Sequence, residues 1–274
     1  MILVSGATGN IGRPLIAELA AEGVKVRALT RTPDTARFPE GVEACDSARP
    51  DFTGVSAFVL NSTGGSVTLL EAARAAGVRR VVTVSALSVA EEEAPEEGSN
   101  AAIHRQLEAA VEAAVPEWTH LRPGAFAANS LRWAPQLRAG DVVRGPYAEA
   151  RTSPIHEADI AAVGVRALLG DELLGQAPTL TGPQGLTFAE QVEIIGSVLG
   201  RPLRYEEISA DMAKQAMMAH SPGARGEQFD SLLRYFADSV GKPAPITDEV
   251  DRILGRPPRT YAEWVTDHAG AFRN

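Results

Sequence analysis

A doubly wound α/β fold, with a parallel sheet covered on both faces and a smaller, mostly helical C-terminal lobe, is what this sequence predicts, on three observations. The first half of the chain alternates short apolar runs with amphipathic stretches. Those runs are continuously apolar rather than alternating, as strands buried on both faces require. A glycine-spaced turn joins the first run to the first amphipathic stretch.

That turn is Gly6-Ala7-Thr8-Gly9-Asn10-Ile11-Gly12, which follows Ile2-Leu3-Val4 and opens a helix from Arg13 to Ala21 with apolar Leu15, Ile16 and Leu19. Gly6 permits the tight turn, Gly9 lets backbone approach a diphosphate, and Gly12 lets helix and strand pack closely. The helix amino terminus then faces the anion. Strand, glycine turn and helix in this order form a Rossmann-type dinucleotide site, with Thr8, Asn10 and Ile11 completing the loop. Val24 to Leu29 is the second strand, ending in Thr30-Arg31 about twenty residues past the glycines, where the ribose is read. An acid there selects NAD. Arg31, with Arg37 as a possible helper, offers a guanidinium to the 2′-phosphate of NADP, so NADP(H) is the expected cofactor and NAD(H) an alternative. An arginine that merely points into solvent is the plainer reading.

Ala57-Phe58-Val59-Leu60 is the next strand, entering Asn61-Ser62-Thr63-Gly64-Gly65 and a helix to Ala76. Val81 to Val84 follows and ends at Ser85. A helix from Asn100 to Val115 leads into Trp118-Thr119-His120-Leu121 and Arg122-Pro123-Gly124. Ligand is expected at the strand carboxyl ends: Gly6, Arg31, Asn61 and Ser62, Ser85, Pro123 and Gly124. From Thr187 the chain turns helical, with Phe188 to Leu199, Asp211 to Ala219 and Gly226 to Val240. The expected division is 1–122 plus 152–182 for the nucleotide domain and 123–151 plus 183–274 for the lobe.

Composition bounds the function. The 274 residues carry net charge −9 with 45% hydrophobic residues, an ordinary globular balance. Excess acid argues against a nucleic-acid or anionic membrane partner. No apolar run approaches the ~20 residues of a membrane span, and a cytoplasmic protein, monomer or homodimer, acting on a small-molecule substrate is expected. Cys45, the one cysteine, reads as a small buried hydrophobe. The five histidines show no metal-ligand spacing, so no metal is expected.

Several motifs in order extend this reading: Gly-Ala-Thr-Gly-x-x-Gly, Thr30-Arg31, Val84-Ser85, His104 with Glu108, Leu121-Arg122-Pro123-Gly124 with Phe126 and Asn129, Ile155-His156-Glu157-Ala158-Asp159, Leu180-Thr181-Gly182-Pro183, and Gly255-Arg256-Pro257-Pro258. Along its whole length the chain resembles the NmrA-like, atypical branch of the short-chain dehydrogenase/reductase superfamily. The resemblance implies either an NADPH-dependent quinone or azo reductase or a redox-sensing regulator that binds the nucleotide without turnover and docks a protein partner. A nucleotide-sugar epimerase or dehydratase is a third reading. Against relatives the chain is shortened between Arg31 and Phe58, and Asp46 is the candidate adenine-side contact.

The superfamily's acid is a Tyr-x-x-x-Lys pair, and this chain lacks it: Tyr147, Tyr205, Tyr235 and Tyr261 are followed four positions later by Arg151, Ser209, Ser239 and Val265. By resemblance His104 takes the tyrosine position and Glu108 the lysine position, on one helix face. The carboxylate is expected to favour an imidazolium that donates a proton or hydrogen-bonds the cofactor; a surface ion pair is the plainer alternative. Ser85 matches the serine that orients a carbonyl, or caps a turn. Without the tyrosine, a quinone or conjugated acceptor, whose charge is delocalised, is favoured over a simple ketone. Pro123 and Gly124 would border the nicotinamide, with Phe126 and Asn129 lining the substrate site. Met217 and Phe229, with Met212, Met218, Leu232 and Phe236, are either an adaptable pocket wall or lobe core, the latter being commoner for periodic apolar residues. The acidic run around Pro95 reads as a solvated loop; as a rim it would disfavour anionic substrates.

Overall fold

The computed structural model describes residues 1–62, 65–220 and 226–273. In chain order the elements are β1 (Ile2–Val4), α1 (Gly12–Ala21), β2 (Val26–Thr30), β3 (Glu43–Asp46), β4 (Ala57–Asn61), α2 (Ser66–Ala75), β5 (Arg80–Val84), α3 (Ser88–Glu91), α4 (Asn100–Ala114) and β6 (Glu117–Pro123). A 3-10 stretch over Ala127–Trp133 precedes α5 (Ala134–Ala139), β7 (Val142–Gly145), β8 (Arg151–Thr152), α6 (Glu157–Leu169), β9 (Thr179–Leu180), β10 (Leu186–Thr187), α7 (Phe188–Leu199) and β11 (Arg204–Glu207). The remainder is helical: α8 (Ala210–His220), α9 (Gly226–Ser239), α10 (Glu249–Leu254), α11 (Tyr261–Asp267) and α12 (Ala269–Phe272).

The chain divides into two units. The first, Met1–Gly124 with Glu157–Leu180 and Asp248–Pro257, holds a parallel sheet ordered β3-β2-β1-β4-β5-β6-β9. Strand order reverses between β1 and β4, which creates the switch point where such sheets bind ligand. The register Asn61 to Val84 and Val84 to Leu121 sets the ends of β4, β5 and β6 level. α1 buries Leu15, Ile16 and Leu19 on one face, and Gly164 of α6 lets that helix close on Leu15, whose Cδ1 would stand 2.9 Å from an added Cβ. Ser99 caps α4 by accepting from the Ala102 N–H at 3.2 Å. Cys45 is half-buried at the edge of this core rather than enclosed, because β3 is an edge strand with a largely exposed surface.

The second unit, Ala125–His156, Thr181–Thr247 and Pro258–Asn274, has an aromatic core in which Trp133, Phe188, Phe236, Tyr261, Trp264 and Phe272 are buried. α7 carries a full capping box between Thr187 and Glu190. The expectation that all of 183–274 forms the lobe needs correction: Asp248–Pro257 groups with the first unit, where Arg256 donates to buried Asp159 at 2.7 Å. The expected lobe-core set also divides. Phe236 is core and Phe229 and Met217 are half-buried, while Met212, Met218 and Leu232 lie on outer faces of α8 and α9 at 57%, 46% and 37% exposure.

Candidate active site

At the end of β1 the chain turns so sharply that side chains are excluded. Gly6 adopts φ +61°, and a Cβ there would meet the Asn61 Nδ2 at 2.8 Å. A Cβ on Gly9 would stand 3.1 Å from the Gly6 carbonyl oxygen, and one on Gly12 would strike that oxygen and come 2.9 Å from the Ala7 Cα. Gly6, Thr8, Gly9 and Asn10 form the open outer surface of the turn, while Ile11 and Gly12 are buried beneath it. No side chain caps α1 and its first turn holds no acid, which leaves that positive end to an anion. This cradle, which a Cβ would fill, fits a dinucleotide diphosphate.

Asn61 fixes the turn from β4. Its Nδ2 donates to the Ser5 carbonyl at 2.5 Å, its N–H donates to Ser5 Oγ at 2.8 Å, and Ser66 Oγ donates to the Asn61 carbonyl at 2.9 Å. Ser62 follows half-buried; Thr63 and Gly64 lie outside the described residues. At the end of β2, Thr30 Oγ1 accepts from the Thr32 N–H at 3.2 Å, turning the chain so that Arg31 is exposed. Among the described residues the Arg31 guanidinium makes no hydrogen bond or ion pair. Arg37 instead donates to the carbonyls of Thr35 and Ala36 in its own loop. Asp46 pairs in register with Thr30, and one of its carboxylate oxygens accepts from the Ala48 N–H at 2.9 Å.

At the ends of β5 and β6 the arrangement is made of side chains. Ser85 Oγ donates to Glu108 Oε1 at 2.6 Å, while Arg122 grips both carboxylate oxygens, Nε to Oε1 at 2.9 Å and Nη2 to Oε2 at 2.6 Å. Glu108 is buried and gripped by Arg122 in a bidentate pair, so it is not the partner of a surface ion pair with His104. Burial pushes the Glu108 pKa up, but the hydrogen bonds from Arg122 and Ser85 outweigh it and hold the carboxyl below its ordinary value. Ser85 therefore spends its proton on Glu108 rather than capping a turn. Arg122 is a site residue that the motif reading leaves without a role; the signal for it is a charged residue wedged between Leu121 and Pro123 at a strand end.

His104 sits one turn before Glu108 on α4. Its Nδ1 is buried with no hydrogen-bond partner among the described residues. Against the expectation that the carboxylate favours an imidazolium, burial lowers the His104 pKa below its ordinary value, and the opposing charge of Glu108 does not reverse the shift. The physical reason is burial, which disfavours the charged ring. Burial thus favours the uncharged ring.

Pro123 is buried and Gly124 half-buried, the latter donating to the Leu180 carbonyl at 2.9 Å. In the second unit Phe126 packs half-buried against the aromatic core, and its carbonyl accepts from the Asn129 N–H at 3.0 Å, leaving Asn129 exposed. The acidic loop is held by its backbone: Arg105 on α4 donates to the carbonyls of Val89 at 2.9 Å, Glu93 at 2.7 Å and, closer still, Glu92. Among the described residues no cluster could hold a metal and no helix is long and apolar enough to cross a membrane.

A family model described as NAD(P)H-binding matches residues 6–171, and the chain belongs to that family, in its NmrA-like, atypical short-chain dehydrogenase/reductase branch. Among its relatives, a (4-alkanoyl-5-oxo-2,5-dihydrofuran-3-yl)methyl phosphate reductase of Streptomyces griseus subsp. griseus is 38% identical, with 99% of each chain covered. An NAD(P)H azoreductase of Xenophilus azovorans is 31% identical over 99% of each. The fold is shared with an NADPH-dependent quinone oxidoreductase from Escherichia coli solved with NADPH, at TM-score 0.79, 23% identity and coverage of 98% of this chain and 100% of that one. The cofactor is NAD(P)H.

Proposed function

We propose that this NAD(P)H-dependent reductase passes hydride to a small conjugated acceptor, a quinone or an unsaturated carbonyl compound, and takes NADPH in preference to NADH. The observation that carries the reading is the pairing of a neutral His104 with a Glu108 already locked by Arg122 and Ser85. Bound NAD(P)H supplies the hydride, and the reduced acceptor takes one proton to complete the exchange. The glycine turn and uncapped α1 seat the diphosphate, and the unpaired Arg31 accounts for a preference for the 2′-phosphate. Glu108 stays ionised and keeps the Ser85 proton directed at itself, so Ser85 offers lone pairs to its surroundings. The half-buried His104 ring can hydrogen-bond a reactant, and its lowered pKa makes it a poor carrier of a full positive charge.

A wall with no strong acid is poorly suited to a localised alkoxide. It suits an acceptor that spreads the arriving charge and draws its proton from water, leaving positioning as the main catalytic contribution. The substrate named for the 38% identical relative, a ring double bond flanked by 5-oxo and 4-alkanoyl groups, is of this conjugated kind. The test is NADPH oxidation with quinones, enones, azo dyes and saturated ketones. Saturable turnover confined to the conjugated acceptors is expected. Comparable turnover of saturated ketones would overturn the acceptor class, and tight NADPH binding with no oxidation by any acceptor would make the chain the nucleotide sensor instead.

A further inference from the structure

Arg13 directly follows the last glycine of the turn, and it is the one lysine or arginine between Met1 and Val24. Its side chain is exposed, and its Nε donates to the Thr8 carbonyl at 2.9 Å, reaching back along the turn that it follows. Thr8 lies on the open outer surface of that turn. One edge of the guanidinium is therefore fastened beside the cradle. Among the described residues its outer nitrogens, Nη1 and Nη2, make no hydrogen bond and no ion pair, so the free side of the fork keeps its donors.

The backbone around it shows what such a charge is for. The Gly9, Arg13 and Leu15 N–H groups are spent on the Gly6, Gly9 and Ile11 carbonyls, and Pro14 has no N–H to give. In a regular helix the Gly12 N–H would donate to the Thr8 carbonyl. That carbonyl receives the Arg13 Nε instead, so one contact both anchors the guanidinium and leaves the Gly12 N–H to an anion. The backbone then offers the Asn10, Ile11 and Gly12 N–H groups and the end of the α1 dipole, equivalent to about half a positive charge. The dinucleotide this family binds carries a full negative charge on each phosphate of its diphosphate. Partial charges do not balance full ones, and a guanidinium held at the lip of the cradle supplies the difference.

We propose that Arg13 is a cofactor-binding residue whose guanidinium, anchored by Nε on the Thr8 carbonyl, gives its Nη donors to a phosphate of bound NAD(P)H. Two phosphates offer this chemistry, the diphosphate common to both cofactors and the 2′-phosphate of NADPH alone. The inference deepens the cofactor side of the reading above, where Arg31 stood as the cation for the 2′-phosphate, and it is independent of which acceptor is reduced.

The test is the Kd of NADPH and of NADH, read from nicotinamide fluorescence, for the wild type, Arg13→Met and Arg13→Lys at about 0.02 M and about 1 M salt. Arg13→Met weakens binding by about 10-fold at low salt, the scale of one lost charge-assisted hydrogen bond, and by less than about threefold at high salt, where an exposed pair is screened. Arg13→Lys, which keeps the charge without the fork, falls between. Equal losses for the two cofactors assign the guanidinium to the diphosphate, and a loss confined to NADPH assigns it to the 2′-phosphate. Affinities unchanged by Arg13→Met overturn the proposal. A loss of the same size at both salts, with Arg13→Lys no better than Arg13→Met, also overturns it, because that is the signature of a turn loosened by losing its Thr8 contact. Should Arg13→Met fail to fold, the salt dependence of Arg13→Lys against the wild type carries the test. Every arm reads binding alone, so the result stands even if no acceptor is reduced.

Discussion

At the end of β1 the site is made by leaving side chains out, and at the ends of β5 and β6 it is made by locking side chains together. The first wall is backbone: Gly6, Gly9 and Gly12 remove every Cβ that would fill the cradle. The second is a buried carboxylate held by a hydroxyl and a guanidinium from three different elements. The contrast separates two tasks. Seating a diphosphate needs close approach and N–H groups, which only an unadorned backbone offers. Holding a buried carboxylate ionised needs a fixed hydrogen-bond network, which Ser85 and Arg122 supply.

Adding one carbon to the first wall gives the largest effect. Gly12→Ala places a Cβ against the Gly6 carbonyl and the Ala7 Cα, and NADPH affinity, measured by fluorescence titration, falls by about 100-fold, the scale of overpacking against rigid backbone. A loss below about threefold would mean the turn is soft and the contrast false. Breaking the second wall with Glu108→Gln removes the charge that Arg122 grips at 2.6 Å. Folding stability in urea drops by about 3 kcal/mol, as for a buried pair stripped of one partner. A drop near ~0.5 kcal/mol would return the pair to the rank of a surface ion pair. Arg31→Ala sharpens the comparison from outside both walls. It raises the NADPH KM by about 10-fold through loss of a charge-assisted contact and leaves the NADH KM in place; equal changes for both cofactors would remove Arg31 from the 2′-phosphate.

The first wall was legible in the sequence because glycine spacing between an apolar run and an amphipathic helix is local information. The parallel sheet followed from the continuous apolar strands by the same logic. The second wall was not legible in full. Ser85, Glu108 and Arg122 were each in view, but their meeting depends on the register of β5 with β6 and on how α4 lies across them. Spacing along α4 placed His104 and Glu108 on one face and suggested that they answer each other. The structure gives Glu108 to Arg122, a residue on β6, and buries the His104 ring enough to lower its pKa.

The most direct test of a proton-poor reactive wall is the pH profile of kcat with a quinone, for the wild type and His104→Gln. Burial lowers the His104 pKa, so the uncharged ring gains as pH rises toward neutrality. Wild-type kcat is therefore flat as pH rises through neutrality, and protonation depresses it only on the acid side, a limb absent from His104→Gln. A wild-type kcat that falls as pH rises through neutrality, with that fall abolished in His104→Gln, would show an imidazolium acid at work and contradict the account.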